Sequence, residues 1–421
     1  MKITEAKPEV DKIDQLIRCM KFLTRYYRNQ SHTHYYEMIS NYYSRLRDAR
    51  QNHDFVVAHT IFFPVEIFNA MDLLPMHLEF TGYMMSMFGI SCNDVLAKAA
   101  EMGLAPEICS GHRLVSGAAA LGTLPAADAV VCSNLVCDNG LKTGEFVMEH
   151  NHCPGFVFDY PFHQNEAGKK FILHELKAVI DFLEQVSGHR MDWDKLSHNL
   201  AETEKQLDLI RQINNLCKKS PSPFQPQDFL KFLCVDYMAA GTPEITAYLA
   251  AMRDNLTAMA EAGKGFANPP ERFRLMGLMI PPWYLQGDID GILATHNAAI
   301  VCYPNLCDWG DDVRLEPEKP LESLARKLAI SPPLRTFGPL DERALNPVIR
   351  AVKEYRINGV VNFTHLGCRQ VGPITKIYKD ALDKLDVPIL NIDCDLVDTT
   401  VTSVDEVRQK LEQFFELLED R

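Results

Sequence analysis

No run in these 421 residues approaches the ~20 consecutive apolar side chains that a membrane helix needs. The first ten residues, MKITEAKPEV, are charged and carry no apolar core, so no signal peptide is expected and the chain is read as cytoplasmic. Basic charge is also scarce: 43 Lys and Arg stand against 56 Asp and Glu, a formal net charge of −13. Nucleic acid binding needs clustered Lys and Arg, so it is not expected as a general partner; a local basic pocket for a phosphate-bearing small molecule stays open. No G-x-G-x-x-G follows a strand pattern, and no G-x-x-x-x-G-K-[ST] occurs. That argues against a dinucleotide held in the usual way and against ATP hydrolysis by this chain. A G-x-S-x-G nucleophile elbow is missing as well. The absence of any C-x-x-C pair weighs against a zinc ribbon or a thioredoxin-like centre.

Cysteine, by contrast, is abundant, with twelve in the chain. Disulfides rarely persist in a cytoplasm, so these thiols need another account. Burial in the core explains some of them. Ligation of a metal or a cluster is the sharper explanation for the rest.

The apolar pattern divides the chain. Residues 10–52 read as helical: Ile13, Leu16, Ile17, Met20 and Leu23 share a face, and a second helix is expected from Tyr35 to Gln51. From Asp54 the runs shorten and are bounded by Pro, Gly, Asn and Asp. Ala129–Cys132 and Phe156–Phe158 read as buried strands with a helix near 141–150 between them, which implies a parallel sheet. Residues 168–265 return to helical spacing, broken by the proline-rich segment Ser220–Gln227 and closed by Gly265–Pro270. Strand candidates then follow at Leu275–Ile280, Ala298–Tyr303, Val360–Phe363 and Ile389–Ile392. Helices are expected at 287–296, 320–330, 342–356, 370–385 and 404–419. The expected fold is α/β: two Rossmann-like or flavodoxin-like parallel-sheet domains with helical N-terminal and middle segments. The boundaries are a helical segment at 1–53, a first α/β domain at 54–167, a helical segment at 168–268 and a second α/β domain at 269–421.

In open parallel sheets, ligands bind beyond the carboxyl ends of the strands. Cys137, in VCSNLVCD, lies just past one strand candidate, and Cys368, in THLGCRQ, just past another. Cys109 lies in PEICSGHR, ahead of a Gly/Ala-rich stretch. Thiolates hold iron–sulfur clusters, and three ligands leave one iron open, whereas four close every iron. The bland alternative is three inert buried thiols. Among the others, Cys132 is read as strand packing, Cys19, Cys217 and Cys234 as core, and Cys92, Cys153 and Cys394 as undecided. Cys302 and Cys307 flank YPNL after a strand and are in reach of an interdomain cleft. Glu66 follows Pro64 in an apolar stretch, where a carboxyl group acquires a raised pKa suited to proton transfer; the alternative is a helix N-terminal Glu. His59 and Thr60 precede it and are candidates for a polar substrate group. His112, His163 and His365 are weaker candidates, and Trp283 with Tyr284 either lines a pocket or packs. Lys142, Arg113 and Arg369 stand near the thiol motifs and either meet phosphates or sit solvated.

The strings FFPVEIFNAMDLLP, EICSGHR, ADAVVCSNLVCDNGLK and PGFVFDYPF, followed by RLMGLMIPPWY, INGVVNFTHLGCRQ and VPILNIDCDLVD, resemble the 2-hydroxyacyl-CoA dehydratase D-component family from about residue 54 to 400. That resemblance implies a [4Fe–4S] cluster on Cys109, Cys137 and Cys368, an acyl-CoA substrate, a homologous second dehydratase subunit in a heterodimer, and a separate ATP-dependent [4Fe–4S] activator. The implied reaction is anaerobic. One electron added to the thioester carbonyl gives a ketyl that expels the C2 hydroxide; the C3 proton then becomes acidic and is removed, and the electron returns. Glu66, with His59 or Thr60, is expected to make contacts near that centre. The family also contains benzoyl-CoA reductase subunits and double-cubane proteins, which carry an extra Cys-Pro between the first ligand and the Cys-Asp motif. None stands in SGHRLVSGAAALGTLPAADAVVCSNLV, which counts against a double cubane, while Cys132, Cys302 and Cys307 keep that alternative open. The residues leave open dehydratase against reductase chemistry, a non-catalytic partner subunit, the acyl group, and which subunit's cluster meets substrate.

Overall fold

The computed structural model describes residues 12–27, 29–163, 165–225, 228–267, 271–310, 314–339 and 342–421. Residues 1–10, on which the expectation of no signal peptide rests, lie outside the described residues. Eight short strands, β1 Val56–His59, β2 Leu74–His77, β3 Ala129–Ser133, β4 Gly155–Phe158, β5 Phe273–Leu278, β6 Ala298–Cys302, β7 Gly359–His365 and β8 Ile389–Cys394, form two sheets. Their orders are β2-β1-β3-β4 and β6-β5-β7-β8, and every pairing is parallel. Parallel strands are covered by helices on both faces, and β1, β3, β5 and β6 are accordingly buried at every position. This is the α/β class with two sheets that the sequence implied.

Each sheet has the same topological consequence. The chain leaves the second strand in the order, crosses to one edge, then returns to the other side. The switch points therefore lie between β1 and β3 and between β5 and β7, where the outgoing loops diverge and open a crevice. The loops at these points carry residues 60–63 and 134–137 in the first sheet and 279–280 and 366–368 in the second.

Helices Lys12–Tyr26 and Gln30–Asn52 pack on each other, and the second also packs on Pro243–Glu261. Gln30–Asn52 starts five residues before the expected Tyr35 because the Asn29 side chain caps it, accepting from the Ser31 N–H at 3.0 Å. Two strands went unassigned in the sequence. β1, VVAH, and β2, LPMH, are as short as β4, but each closes on a histidine instead of an apolar run. Pro75 within β2 also speaks against a strand; it is tolerated because β2 is an edge strand. Among the described residues, no helix is long and apolar enough to cross a membrane.

Candidate active site

The side chains of Cys109, Cys137 and Cys368 line one cavity of about 110 Å³, between the switch points of the two sheets. Most of its wall is apolar, including Ile61, Phe62, Leu233, Ile280 and Leu306. Two parts of the chain must meet closely for this. A Cβ added to Gly367 would stand 2.7 Å from Cys109 Cα and 2.8 Å from Cys109 N, so only glycine lets the Cys368 loop lie on the Cys109 backbone. Similarly, a Cβ on Gly111 would stand 2.4 Å from the Tyr83 hydroxyl, so glycine there lets the Tyr83 ring reach the cavity wall.

Each thiol sits at the start of a helix. Cys109 is the N-cap of Ser110–Ala120, Cys137 is the N-cap of Asp138–Asn151, and Cys368 lies one turn ahead of Val371–Asp383. Backbone N–H groups point at the sulfurs: Gly111 at Cys109, Asn139 and Gly140 at Cys137, and Gln370 and Val371 at Cys368. Helix N-termini favour negative charge, and such donors stabilise thiolates. Burial works in the other direction. It raises all three thiol pKa values, that of Cys137 to about 12, and neighbouring thiols raise Cys109 further. Three thiols in an apolar cavity, aimed at by backbone donors, fit the ligand chemistry of an iron–sulfur cluster. Among the described residues, no three His, Cys, Asp or Glu side chains form a ligand set for a single metal ion.

Among the described residues nine non-glycine residues have positive φ, and the three apolar ones lie in this region. Phe62, Val136 and Met279, one in each of three switch-point loops, have φ of 73°, 67° and 60°, and all three line the cavity. Left-handed backbone is unfavourable for L-residues and most so for a β-branched one, by about 1–3 kcal/mol each, and such strain gathers at functional sites. Val136 and the Cys137 N–H to Leu135 carbonyl bond, 2.7 Å, turn the Cys137 side chain into the crevice.

The polar groups in the cavity include the weaker candidates His112 and His365 and one residue that no sequence signal singled out, Glu79. Glu79, two residues past β2, is 2% exposed and lines the wall. Its Oε1 accepts from the Ile61 N–H at 3.4 Å, while Oε2 has no hydrogen-bond partner among the described residues and lies 3.4 Å from His77 Nδ1. That Nδ1 accepts from the Phe80 N–H at 3.3 Å, so it carries no proton and offers the carboxyl group no positive charge. Burial raises the Glu79 pKa to about 7. His112 and His365 also face the cavity. No motif signalled Glu79; the only trace is one carboxylate in the apolar string LLPMHLEF.

The residues expected beside the thiols are not in the cavity wall. Glu66 is fully buried, and its Oε1 accepts from Thr203 Oγ1 at 2.9 Å and Lys327 Nζ at 2.8 Å; Lys327 also pairs with Asp236 at 3.1 Å. His59 is buried, with Nδ1 3.1 Å from the Thr60 carbonyl and its ring 4.8 Å from that of His77. Thr60 ties the ends of β1 and β3, accepting from the Ser133 N–H at 3.0 Å. Cys302 and Cys307 line a different, smaller cavity with Arg211 and Arg350, and Cys132 packs inside β3, so among the described residues no fourth thiol joins the three. Trp283 lies behind the wall, stacked on Tyr83 at 5.4 Å, and the Tyr284 hydroxyl binds the carbonyls of Asp398 and Thr402. Arg113, Lys142 and Arg369 pair with Asp398, Glu145 and Asp138 respectively.

Two parallel sheets whose switch points share a thiol-lined, apolar cavity define an α/β enzyme-like class built around a cysteine centre. Within that class the chain belongs to the 2-hydroxyglutaryl-CoA dehydratase D-component family, whose model it matches over residues 60–418. It is 23% identical to the lactoyl-CoA dehydratase alpha chain of Anaerotignum propionicum over 77% of this chain and 76% of that one. It is 23% identical to a benzoyl-CoA reductase subunit of Thauera aromatica over 91% and 94%. With the (R)-2-hydroxyglutaryl-CoA dehydratase alpha chain of Acidaminococcus fermentans it shares 25% identity over 38% and 35%.

Proposed function

We propose that this chain is a subunit of an oxygen-sensitive 2-hydroxyacyl-CoA dehydratase, with Cys109, Cys137 and Cys368 holding one [4Fe–4S] cluster whose fourth iron is open. The observation that carries this reading is the meeting of three thiols, and among the described residues no fourth, in one apolar cavity of a chain of this family. Bound there, the cluster would supply one low-potential electron, delivered by an ATP-dependent activator, for ketyl-type elimination of water to a 2-enoyl-CoA. The chain's own residues do the rest. The apolar wall excludes water, which strengthens every remaining electrostatic contact. Glu79, with a pKa near 7 and an unpartnered Oε2, is suited to hold or accept a proton inside the cavity. Glu66, His59 and Thr60 act behind the wall: Glu66 through its ion pair with Lys327, and Thr60 by fixing the β1 and β3 ends that carry the loops. A homologous second subunit completes the heterodimer in this reading, since all three relatives above are named as subunits.

A reductase subunit is the second reading, favoured by one observation: the benzoyl-CoA reductase match spans more of both chains than the lactoyl-CoA dehydratase match. The deciding experiment combines this chain with its partner subunit and activator under anaerobic conditions. A 2-enoyl-CoA formed from a 2-hydroxyacyl-CoA without net electron consumption supports the dehydratase. Steady ATP-coupled electron uptake into an unsaturated or aromatic thioester supports the reductase. A colourless, iron-free, folded chain points to a non-catalytic partner subunit.

A further inference from the structure

Among the described residues, only one of the three thiols meets a side-chain donor. His112 Nε2 lies 3.2 Å from Cys137 Sγ, and on the other side of the ring Nδ1 lies 2.9 Å from Thr143 Oγ1. Both partners stand on the helix that Cys137 caps, at its start and one turn and a half further on, while His112 comes from the helix that Cys109 caps. The imidazole thus links two of the three thiol helices.

The proton positions follow from the hydrogen-bond partners. A helical threonine commonly donates to the carbonyl four residues back, as Thr24, Thr257 and Thr375 do here. Among the described residues Thr143 makes no such bond, and its hydroxyl, on a residue 4% exposed, has His112 Nδ1 as its one partner. The hydroxyl therefore donates to Nδ1, and the ring's own proton sits on Nε2, aimed at Cys137 sulfur. Among the described residues, Cys109 and Cys368 receive backbone N–H groups only.

We propose that Thr143 fixes the His112 tautomer and that the His112 Nε2–H bond to Cys137 sulfur raises the reduction potential of the cluster held there. His112 is a positioning residue: it touches a ligand, not the reacting atoms. The physical basis is general. Hydrogen bonds to ligating sulfur stabilise the more negative, reduced state, and an outer partner orients the ring that makes them. The inference rests on the ligand assignment in the preceding subsection.

The test is a redox titration, followed by EPR, of the full chain reconstituted anaerobically with iron and sulfide, for wild type, H112L, H112Q and T143V. H112L removes the donor and lowers the midpoint; at a fixed potential the ratio of reduced to oxidised cluster falls roughly tenfold, equivalent to 59 mV for one electron. H112Q, which presents an amide N–H in the same place, recovers most of the shift. T143V leaves Cys137 untouched but releases the tautomer, and gives a smaller fall. Pulsed EPR of protein carrying ¹⁵N-histidine shows a nitrogen coupling that H112L loses. H112L with full iron and an unchanged midpoint overturns the proposal and leaves the ligand assignment standing. If H112L takes up no iron, T143V decides, and an unchanged T143V midpoint overturns the proposal. A wild-type chain without iron removes the ligand assignment, and this proposal with it.

Discussion

Replacement of Gly367 by alanine separates the two halves of the site with one methyl group. The added Cβ would stand 2.7 Å from Cys109 Cα, 2.8 Å from Cys109 N and 3.0 Å from Ile108 C, against the 3.4 Å at which ordinary contact begins. All three neighbours are backbone atoms, so no rotamer change relieves the clash, and the loops must part by roughly 0.7 Å. Overpacking of this kind costs about 1–3 kcal/mol. The same displacement moves Cys109 away from Cys368. G372A provides the control: it lies five residues on, inside helix Val371–Asp383, with nothing within 4 Å of its added Cβ. The assay pairs urea unfolding of the metal-free chain with iron uptake under anaerobic reconstitution. G367A is expected to lower the unfolding free energy by about 1–3 kcal/mol and to lose iron, and G372A to do neither. Full iron uptake by G367A, with stability within about 0.5 kcal/mol of wild type, would refute the idea that this close approach brings the thiols together.

Glu79→Gln tests the buried carboxyl. Its folded pKa, about 7, exceeds the ordinary 4.5, so the fold binds this proton more tightly than the unfolded chain does. The stability it supports is complete below pH 4.5 and is lost as pH rises towards 7, by about 3 kcal/mol at 1.36 kcal/mol per unit. The glutamine variant flattens that slope in pH-dependent unfolding of the metal-free chain; an identical slope would show that Glu79 titrates normally. Lys327→Met removes the cation from the buried Glu66 and the half-buried Asp236, and is expected to cost about 3–5 kcal/mol, with partial recovery when Glu66→Gln is added. If Lys327→Met unfolds at the wild-type urea concentration, the triad is not a charged pair and Glu66 needs another role.

The strands that are legible in the sequence are those with unbroken apolar runs between turn residues, such as AAIVC in β6 and AVVC in β3. The final helix was legible through its period, Val407, Leu411, Phe414 and Leu418, and lies at Val404–Glu419 behind a Ser403–Glu406 capping box. β1 and β2 are not legible because each closes on a histidine, and β2 holds a proline as well, so neither presents an apolar run. The rule that ligands sit beyond strand ends points to Cys137 and Cys368, and both lie in switch-point loops. Cys109 follows no strand; its place is set by a helix start, which a sheet rule cannot find. Glu66 was attractive for its apolar neighbours, but the cation that holds it, Lys327, stands 261 residues away. Glu79 and the His112–Cys137 contact depend on how the helices rotate against the sheets, and local patterns carry no such information.

In the proposed function, three protein sulfurs hold a four-iron centre with one iron left open. Mössbauer spectroscopy of the ⁵⁷Fe-reconstituted chain tests this most directly. The expected result is about four irons per chain in a ratio of about 3:1, with the minority site alone changing when a 2-hydroxyacyl-CoA is added, and loss of the signal in C109A, C137A and C368A but not in C302A. Four equivalent irons, or iron retained in all three alanine variants, would contradict it.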